Sequence, residues 1–210
     1  MSRTGRTVLF VRHGQSQSNA GGPTMDDALI PLTELGHAQA LHVAKRLPAS
    51  PSRIVASPYL RAMDTARAYA ALTGLGIDTN PELREFHNID ADLLRGMTGE
   101  QRRPISRSFW ERGDPHERMG PRAETFAEFS ERVQRFIERD LRELQDGTVV
   151  FGHGRWIGLL GWKLQGRDSY DADGMRAFWD YMCALQMPNT AIYRVRADAS
   201  GQYGFEPAFA

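Results

Sequence analysis

The chain has 210 residues, enough for one large α/β domain or two small ones. Its 26 basic and 26 acidic residues leave a formal net charge of zero, which gives no sign of binding to nucleic acid or to an acidic membrane. Cys183 is the only cysteine, which excludes an intrachain disulfide and a metal site built on paired cysteines. The apolar run 8–11 is too short for a signal peptide and no run approaches a membrane span, so a cytoplasmic protein is expected.

In the first half of the chain, short apolar runs alternate with stretches of helical periodicity. The runs 7–11 and 53–56 predict buried strands, and residues 76–85 are predicted to be extended. Thr33 and Ser57 stand where helices begin, and each is predicted to be the N-cap of the helix that follows. The apolar positions expected on the buried face of the first helix are Leu35, Ala38, Leu41, Val43 and Leu47.

The second half of the chain begins with residues 86–122, which have no clean period and are rich in Arg, Gly, Pro and aromatic residues. We expect an insertion here over one end of the sheet, with some helix around 99–110. Thr125 and Glu128 have capping-box spacing and predict the start of a long amphipathic helix. The remaining predicted elements are a buried strand over 148–151, helices over 156–164 and 173–184, and a strand over 190–196 that pairs back with 202–205.

This alternation predicts an α/β fold: a single three-layer domain spanning 1–210, with a mostly parallel sheet and helices on both faces. In open sheets of this class, ligands bind beyond the carboxyl ends of the strands. Two predicted strands each end in a histidine, His13 and His153, and Arg12 adjoins the first of them. Arg61 lies in the helix that follows the second strand. We therefore expect two histidines and two arginines to converge at one edge of the sheet.

The block 9–16, centred on Arg12-His13-Gly14, resembles the signature of the histidine phosphatase superfamily, also called phosphoglycerate mutase-like. Five blocks in the right order make the resemblance specific, although the central tripeptide alone would be weak. The later matching segments are Asn19, Leu32-Thr33-x-x-Gly36 with Gln39, Ser57-Pro58-x-x-Arg61-Ala62-x-x-Thr65-Ala66, Leu83-Arg84-Glu85 and Gly152-His153-Gly154.

The resemblance implies that His13 attacks phosphorus and forms a phosphohistidine, while Glu85 protonates the leaving oxygen and later activates water. Arg12, Arg61 and His153 would stabilise the charge on the transferred phosphoryl group. With so much positive charge, neither a metal ion nor another cofactor is expected, and the sequence lacks an obvious carboxylate cluster to hold a metal. The expected substrate-binding residues are Arg12, Gln15, Ser16, Asn19, Thr33, Arg61 and Gly154.

Several of these assignments have structural alternatives. Asn19 is also suited to stabilising a turn, and Gln15, Ser16 and Thr33 are open to the same interpretation. Glu82 lies three residues before Glu85, and extended residues three apart point to opposite faces, so only one of the two should face the site.

Two segments depart from the family pattern. Residues 86–90 replace a glycine that usually follows the acid, and Arg155-Trp156 stands where small or aliphatic residues are more usual. The sequence leaves open whether Arg155, His87 and the arginine-rich stretch 102–122 shape a pocket or lie on the surface.

The function favoured by the sequence is a phosphatase that acts on a small-molecule phosphate monoester. A bisphosphoglycerate-dependent mutase is the alternative, but mutases of this family tend to have a longer stretch between the acid and the second histidine. A non-catalytic phosphate-binding or scaffolding relative would be expected to lose Arg12, His13, Arg61 or His153, and all four are present. The sequence identifies neither the substrate nor the oligomeric state.

Overall fold

The computed structural model describes residues 5–167, 171–198 and 200–208. Within these residues, six strands form one sheet in the order β3-β2-β4-β1-β5-β6. The first four strands in that order are mutually parallel, and β5 is antiparallel to both of its neighbours, β1 and β6, so the predicted mostly parallel sheet and its C-terminal hairpin are confirmed. The strands are β1 (Arg6–Arg12), β2 (Arg53–Ala56), β3 (Ile77–Thr79), β4 (Thr148–Gly152), β5 (Ile192–Ala197) and β6 (Tyr203–Pro207).

Helices connect the strands, and most lie close to where the sequence predicted them. A π-helical turn, Phe136–Asp140, joins α4 to α5, and the residues that the structure describes also form short 3₁₀ helices at Asp27–Leu29, Pro81–Leu83 and Ala91–Leu94. The α-helices are α1 (Glu34–Ala44), α2 (Leu60–Thr73), α3 (Gly99–Arg112), α4 (Phe126–Arg135), α5 (Leu141–Glu143), α6 (Gly154–Leu164) and α7 (Ala172–Ala184). No helix in the described part of the chain is both long enough and apolar enough to span a membrane.

Alternate residues of the central strands pack into two separate apolar clusters, which gives the fold its three layers. Val8 and Phe10 of β1 belong to the cluster that contains α4, α6 and α7 residues. Leu9 and Val11 point the other way, into the cluster with α1 and α2 residues. Side chains of a strand alternate between faces, so a sheet that is covered on both sides needs a continuous apolar run.

The pairing of β1 with β4 sets the positions of the two histidines. Arg12 is paired with Gly152 in a parallel register, so the two strands end at the same level. The backbone N–H of His13 donates to the carbonyl of Gly152 at 3.0 Å, which continues the pairing by one residue. His13 and His153 therefore emerge side by side at the carboxyl edge of the sheet.

The predicted buried face of α1 is wrong at three positions. Leu35 and Leu41 are 54% and 56% exposed, and Ala38 is also exposed. The helix packs instead through small residues, because its backbone lies very close to the loop after β1. A Cβ added at Gly36 would stand 2.0 Å from the carbonyl oxygen of Gln15. This contact is possible because glycine has no side chain, and a pattern of hydrophobic residues cannot predict it.

Two further local predictions are wrong. Ser57 is not the N-cap of α2: that position belongs to Tyr59, and the Ser57 hydroxyl accepts the N–H of Tyr59. Residues 76–85 are extended only as far as Thr79, because Asn80 caps the 3₁₀ helix that follows. The expectation that Glu82 and Glu85 face opposite sides of an extended strand therefore has no basis in the structure.

Candidate active site

A cavity of about 470 Å³ lies at the carboxyl edge of the sheet. Its walls come from the loop after β1, from α2, α3 and α7, from the first residues of α6, and from the segment that follows β3, whereas His153 is buried behind them. The polar and charged residues that line it include Arg12, His13, Ser16, Asn19, Asp27, Arg61, Glu85, His87, Asn88, Arg102 and Arg155.

The ring of His13 is held in one orientation. Its Nδ1 lies 2.6 Å from the carbonyl oxygen of Gly14, and a carbonyl can only accept, so Nδ1 carries the proton. Nε2 then bears the lone pair, and it accepts a hydrogen bond from Nε of Arg61 at 3.2 Å. The nitrogen of His13 that offers a lone pair to the cavity is therefore Nε2, and it lies against a guanidinium.

The electrostatic surroundings keep both histidines neutral. Burial lowers the pKa of His13 well below its usual value, and the positive charges of Arg61 and Arg12 lower it further. Burial also lowers the pKa of His153 well below its usual value, with Arg61 and His13 adding to the effect. The two rings meet edge to face with centroids 5.2 Å apart. A neutral imidazole keeps its lone pair, which nucleophilic attack requires.

His153 is oriented by Ser57, a contact that the sequence did not reveal. Its Nε2 lies 2.8 Å from the Ser57 hydroxyl, and the Tyr59 ring packs edge-on against the imidazole at 5.3 Å. Its buried Nδ1 has no hydrogen-bond partner among the residues that the structure describes. Buried polar atoms without a partner are uncommon and call for an explanation such as a bound ligand.

Arg61 is anchored by Asp27, another residue that carried no signal in the sequence. Nη1 of Arg61 donates to the Asp27 carbonyl at 2.5 Å, and its Nη2 lies 3.6 Å from the Asp27 carboxylate. Burial would raise the pKa of Asp27, but His87 and Arg61 outweigh it and the net shift is downward. The ionised carboxylate thus fixes the guanidinium that contacts His13.

Arg12 projects into the same site from the end of β1. Its Nη1 donates to the carbonyl of Met187, and its buried Nε has no partner within the described ranges. Burial lowers the pKa of the Arg12 guanidinium, and the negative charge of Glu85 opposes the shift. Gly154 is packed against this side chain, since a Cβ added there would stand 3.3 Å from Arg12 Nε.

The carboxylate of Glu85 caps the N-terminus of α6. Its Oε2 accepts the N–H of Arg155 at 3.2 Å, and its Oε1 accepts those of Trp156 at 3.2 Å and Phe86 at 2.9 Å. A negative charge is favoured at a helix N-terminus, which explains why this side chain is fixed there. Glu82 does not line the cavity, and its carboxylate lies 3.5 Å from Arg135.

The other expected substrate-binding residues divide into two groups. Ser16 and Asn19 line the cavity and exchange hydrogen bonds of 3.3 Å with each other's backbone N–H groups. Gln15 and Thr33 are not brought to the cavity. The Thr33 hydroxyl donates to Gln15 Oε1 at 2.8 Å and caps α1, so this pair holds the helix against the loop after β1.

The structure also separates the residues whose place the sequence left open. Arg155, His87 and Arg102 line the cavity. Arg118 and Arg122 do not: Arg118 pairs with Glu128, and Arg122 pairs with Asp90 and Asp92. Within the described part of the chain, no group of three or more His, Cys, Asp or Glu side chains is arranged to hold a metal ion.

The lowered histidine pKa values predict that the protein loses stability as the pH falls below about 6.5. Unfolded histidines titrate near about 6.5, whereas His13 and His153 stay neutral when folded, so the unfolded state binds more protons below this pH. Each of these two histidines contributes up to about 1.4 kcal/mol per pH unit to the slope of the free energy of unfolding against pH. His87 has a raised pKa, so its contribution is complete below about 6.5 and is lost only at higher pH.

Denaturant unfolding at several pH values would measure this slope. Below pH about 6.5, the His153→Asn variant should show a shallower slope of unfolding free energy against pH than the wild type. Equal slopes in the two proteins would contradict the assignment of a depressed pKa to His153.

A family model described as histidine phosphatase superfamily (branch 1) matches residues 8–203. The chain belongs to the histidine phosphatase superfamily. The match covers both strand-end histidines, Arg61 and Glu85, so every residue that contacts His13 or caps α6 lies within the family's own domain.

Named proteins of this kind include both mutases and phosphatases. The Photorhabdus laumondii protein "Probable phosphoglycerate mutase GpmB" is 32% identical over 162 residues, which are 73% of this chain and 72% of that protein. The glucosyl-3-phosphoglycerate phosphatase of Mycolicibacterium vanbaalenii is 32% identical over 106 residues, 50% of this chain and 47% of that protein. The alpha-ribazole phosphatase structure from Shigella flexneri shares the fold with a TM-score of 0.74 and 22% identity, covering 96% of this chain and 95% of that one.

Proposed function

We propose that this histidine phosphatase superfamily member hydrolyses a small phosphate monoester through a phosphohistidine on His13. The observation that carries the proposal is the state of His13: a neutral imidazole whose Nε2 lone pair lies 3.2 Å from the Arg61 guanidinium. A phosphoryl group at this position would meet a nucleophile and a cation together, which is the arrangement that phosphoryl transfer requires.

In the first step, His13 Nε2 attacks phosphorus and the bond from phosphorus to the ester oxygen breaks. Glu85 in its protonated form gives its proton to the departing oxygen, so the alcohol leaves neutral and Glu85 becomes the carboxylate that caps α6. Arg12 and Arg61 bind the phosphoryl oxygens, and the free Nδ1 of His153 supplies a further polar contact. Asp27 keeps Arg61 in place through its carbonyl and carboxylate.

In the second step, water attacks the phosphohistidine and the bond from phosphorus to Nε2 breaks. The Glu85 carboxylate accepts the proton of the attacking water, which restores the acid for the next cycle. His13 returns to its neutral form, with Nδ1 still donating to Gly14. No metal ion takes part in this scheme, because the arginines already supply the positive charge that the phosphoryl oxygens need.

The balance between phosphatase and mutase is decided by the fate of the phosphohistidine. A mutase must exclude water from the phosphohistidine until a second acceptor binds, whereas a phosphatase must let water reach it. Relatives named as phosphatases support hydrolysis, and so does the compact stretch between Glu85 and His153. The apolar part of the cavity also suits an organic leaving group larger than a glycerate; it includes Ile30, Leu94, Met182, Leu185 and Met187.

The test is to trap the intermediate by rapid quenching with a ³²P-labelled aryl phosphate in excess EDTA. We expect an acid-labile, alkali-stable label on the peptide that contains His13, together with full turnover. Absence of the label from an active enzyme would contradict the covalent mechanism. Activity lost in EDTA and restored by a divalent metal would contradict the metal-free scheme. In a parallel reaction, conversion of 3-phosphoglycerate to its 2-isomer faster than phosphate release would favour the mutase.

A further inference from the structure

Arg132 of α4 is a buried charged side chain that the proposed mechanism does not use. Only 3% of the side chain is exposed, and it does not line the cavity. Its Nε and Nη2 each donate to one carboxylate oxygen of Glu124 at 2.7 Å. Replacing a buried ion pair with apolar residues is often neutral or stabilising, so stability alone does not explain this pair.

The same guanidinium holds the chain on the N-terminal side of Glu85. Nη1 of Arg132 donates to the carbonyl oxygen of Glu82 at 2.7 Å and to that of Arg84 at 2.8 Å. The Arg84 carbonyl belongs to the peptide unit that contains the backbone nitrogen of Glu85. Because a peptide unit is planar, fixing this carbonyl also fixes the direction in which the chain enters Glu85.

The partner of Arg132 holds the chain on the C-terminal side of Glu85. The backbone N–H of Glu124 donates to the carbonyl of His87 at 2.8 Å, two residues after the acid. Arg132 and Glu124 are joined by their two side-chain hydrogen bonds, so the contacts before and after Glu85 belong to one rigid unit. Arg132 and Glu124 thus form a clamp that holds residues 82–87 at three carbonyls.

The clamp acts on the residue whose carboxyl group must meet the leaving oxygen. The Glu85 carboxylate accepts the backbone N–H groups of Phe86, Arg155 and Trp156. Hydrogen bonds to an ionised acceptor are about twice as strong as those to a neutral one, so these bonds weaken when Glu85 is protonated. The protonated form is the one that acts as the acid, and its position therefore depends more on the backbone that the clamp fixes.

We propose that Arg132 is a positioning residue for Glu85, which keeps the proton donor at the leaving oxygen through the clamp; this inference rests on the proposed phosphatase function. Arg132 touches neither the substrate nor the reacting atoms in this role. Its loss should therefore slow only the steps in which Glu85 transfers a proton. A misplacement of about 1 Å that originates away from the reacting atoms can lower a rate by about 10²-fold.

The Arg132→Met variant tests this role with two phosphate esters. On an alkyl phosphate, whose alkoxide needs a proton, we expect kcat to fall by about 10²-fold. On nitrophenyl phosphate, whose nitrophenolate leaves without a proton, the rate of nitrophenolate release in the first turnover should stay close to wild type. Equal losses on both esters would show that Arg132 acts on the whole site, through the fold or through its charge, and would overturn the proposal.

A second variant separates positioning from stability. Arg132→Met alone leaves the Glu124 side chain, which is only 18% exposed, without its ion-pair partner, and this destabilises the protein. Arg132→Met/Glu124→Gln removes the leftover charge, so it should unfold at a higher denaturant concentration than the single variant. We expect both variants to show the same loss of kcat on the alkyl phosphate. Recovery of activity together with stability would overturn the proposal.

Combination with Glu85→Gln shows whether Arg132 acts through Glu85. If it does, Arg132→Met/Glu85→Gln should be no slower on the alkyl phosphate than Glu85→Gln alone, whereas losses that multiply would overturn the proposal. Arg135→Met is the matched control. Arg135 lies one turn further along α4, is 45% exposed and has its guanidinium 3.5 Å from the side-chain carboxylate of Glu82. Its replacement should match the wild type on both esters.

Amide hydrogen exchange reports on the position of Glu85 without turnover. The three backbone N–H groups that donate to its carboxylate should exchange faster in the variant that lacks both charges of the clamp than in the wild type. Unchanged exchange would overturn the inference. Faster exchange together with a wild type that hydrolyses neither ester would overturn the proposed function and retain the clamp. Hydrolysis by the wild type, with equal losses on both esters in Arg132→Met, would overturn the inference alone.

Discussion

Replacing His13 with alanine is expected to lower phosphate release from an aryl phosphate by about 10⁴-fold or more, with the fold intact. The reason is that the variant lacks the only imidazole nitrogen in the described cavity that is both neutral and adjacent to Arg61. Loss of a covalent nucleophile removes the whole two-step route and not one contact within it. Steady-state kinetics measure the loss, and circular dichroism measures the fold.

The matched control is His37→Ala, which removes an exposed histidine of α1. It should retain wild-type activity. The fold of His13→Ala should persist because the pairing of β1 with β4 uses backbone groups, including the N–H of His13 itself. A folded His13→Ala protein that retains a substantial fraction of wild-type activity would contradict the assignment of His13 as the nucleophile.

Replacing Glu85 with glutamine is expected to slow the reaction of each substrate in proportion to the basicity of its leaving group. A nitrophenolate leaves without a proton, so phosphorylation by nitrophenyl phosphate should change little. An alkoxide needs the proton, so an alkyl phosphate should lose about 10²–10⁴-fold. If Glu85 also activates water, the nitrophenyl reaction should show a burst followed by slow turnover, with phosphohistidine accumulating. Presteady-state kinetics on both substrates separate these two roles.

Glu82→Gln is the matched control, since Glu82 lies three residues away but outside the cavity. It should be close to wild type on both substrates. Were Glu82→Gln the impaired variant, the roles of the two carboxylates would be exchanged. If neither variant is impaired, the acid lies elsewhere. Asp90, Asp92 and Glu124 are then the next candidates, although each is paired with an arginine in the structure.

The fold was largely predictable because its main signals are local. The buried strands carry continuous apolar runs, and Thr125 with Glu128 forms the expected capping box before α4. The convergence of His13 and His153 was also predictable, since both follow parallel strands and such strand ends share one edge of the sheet. In each of these cases the decisive information lies within a few residues of the element concerned.

What the sequence did not reveal depends on contacts between distant parts of the chain. Ser57 looked like a helix cap, because nothing near it indicates that its hydroxyl meets His153 across the sheet edge. Asp27 lies in a segment without a motif, yet it anchors Arg61. The buried face of α1 was misassigned because glycine at position 36 permits a close backbone approach that apolar periodicity cannot represent. These features were visible only once the elements were placed in three dimensions.

The central position of β4 has a consequence for how the protein is made. β4 lies between β1 and β2, although the chain contains β1, β2 and β3 long before β4. A nascent chain must therefore leave a gap between its first two strands until residues 148–152 have emerged from the ribosome, which adds about 5–20 residues per second. Any earlier pairing of β1 with β2 would be a misfolded trap that must reopen. A chain terminated before residue 153 would carry His13 without His153, so it could not assemble the site.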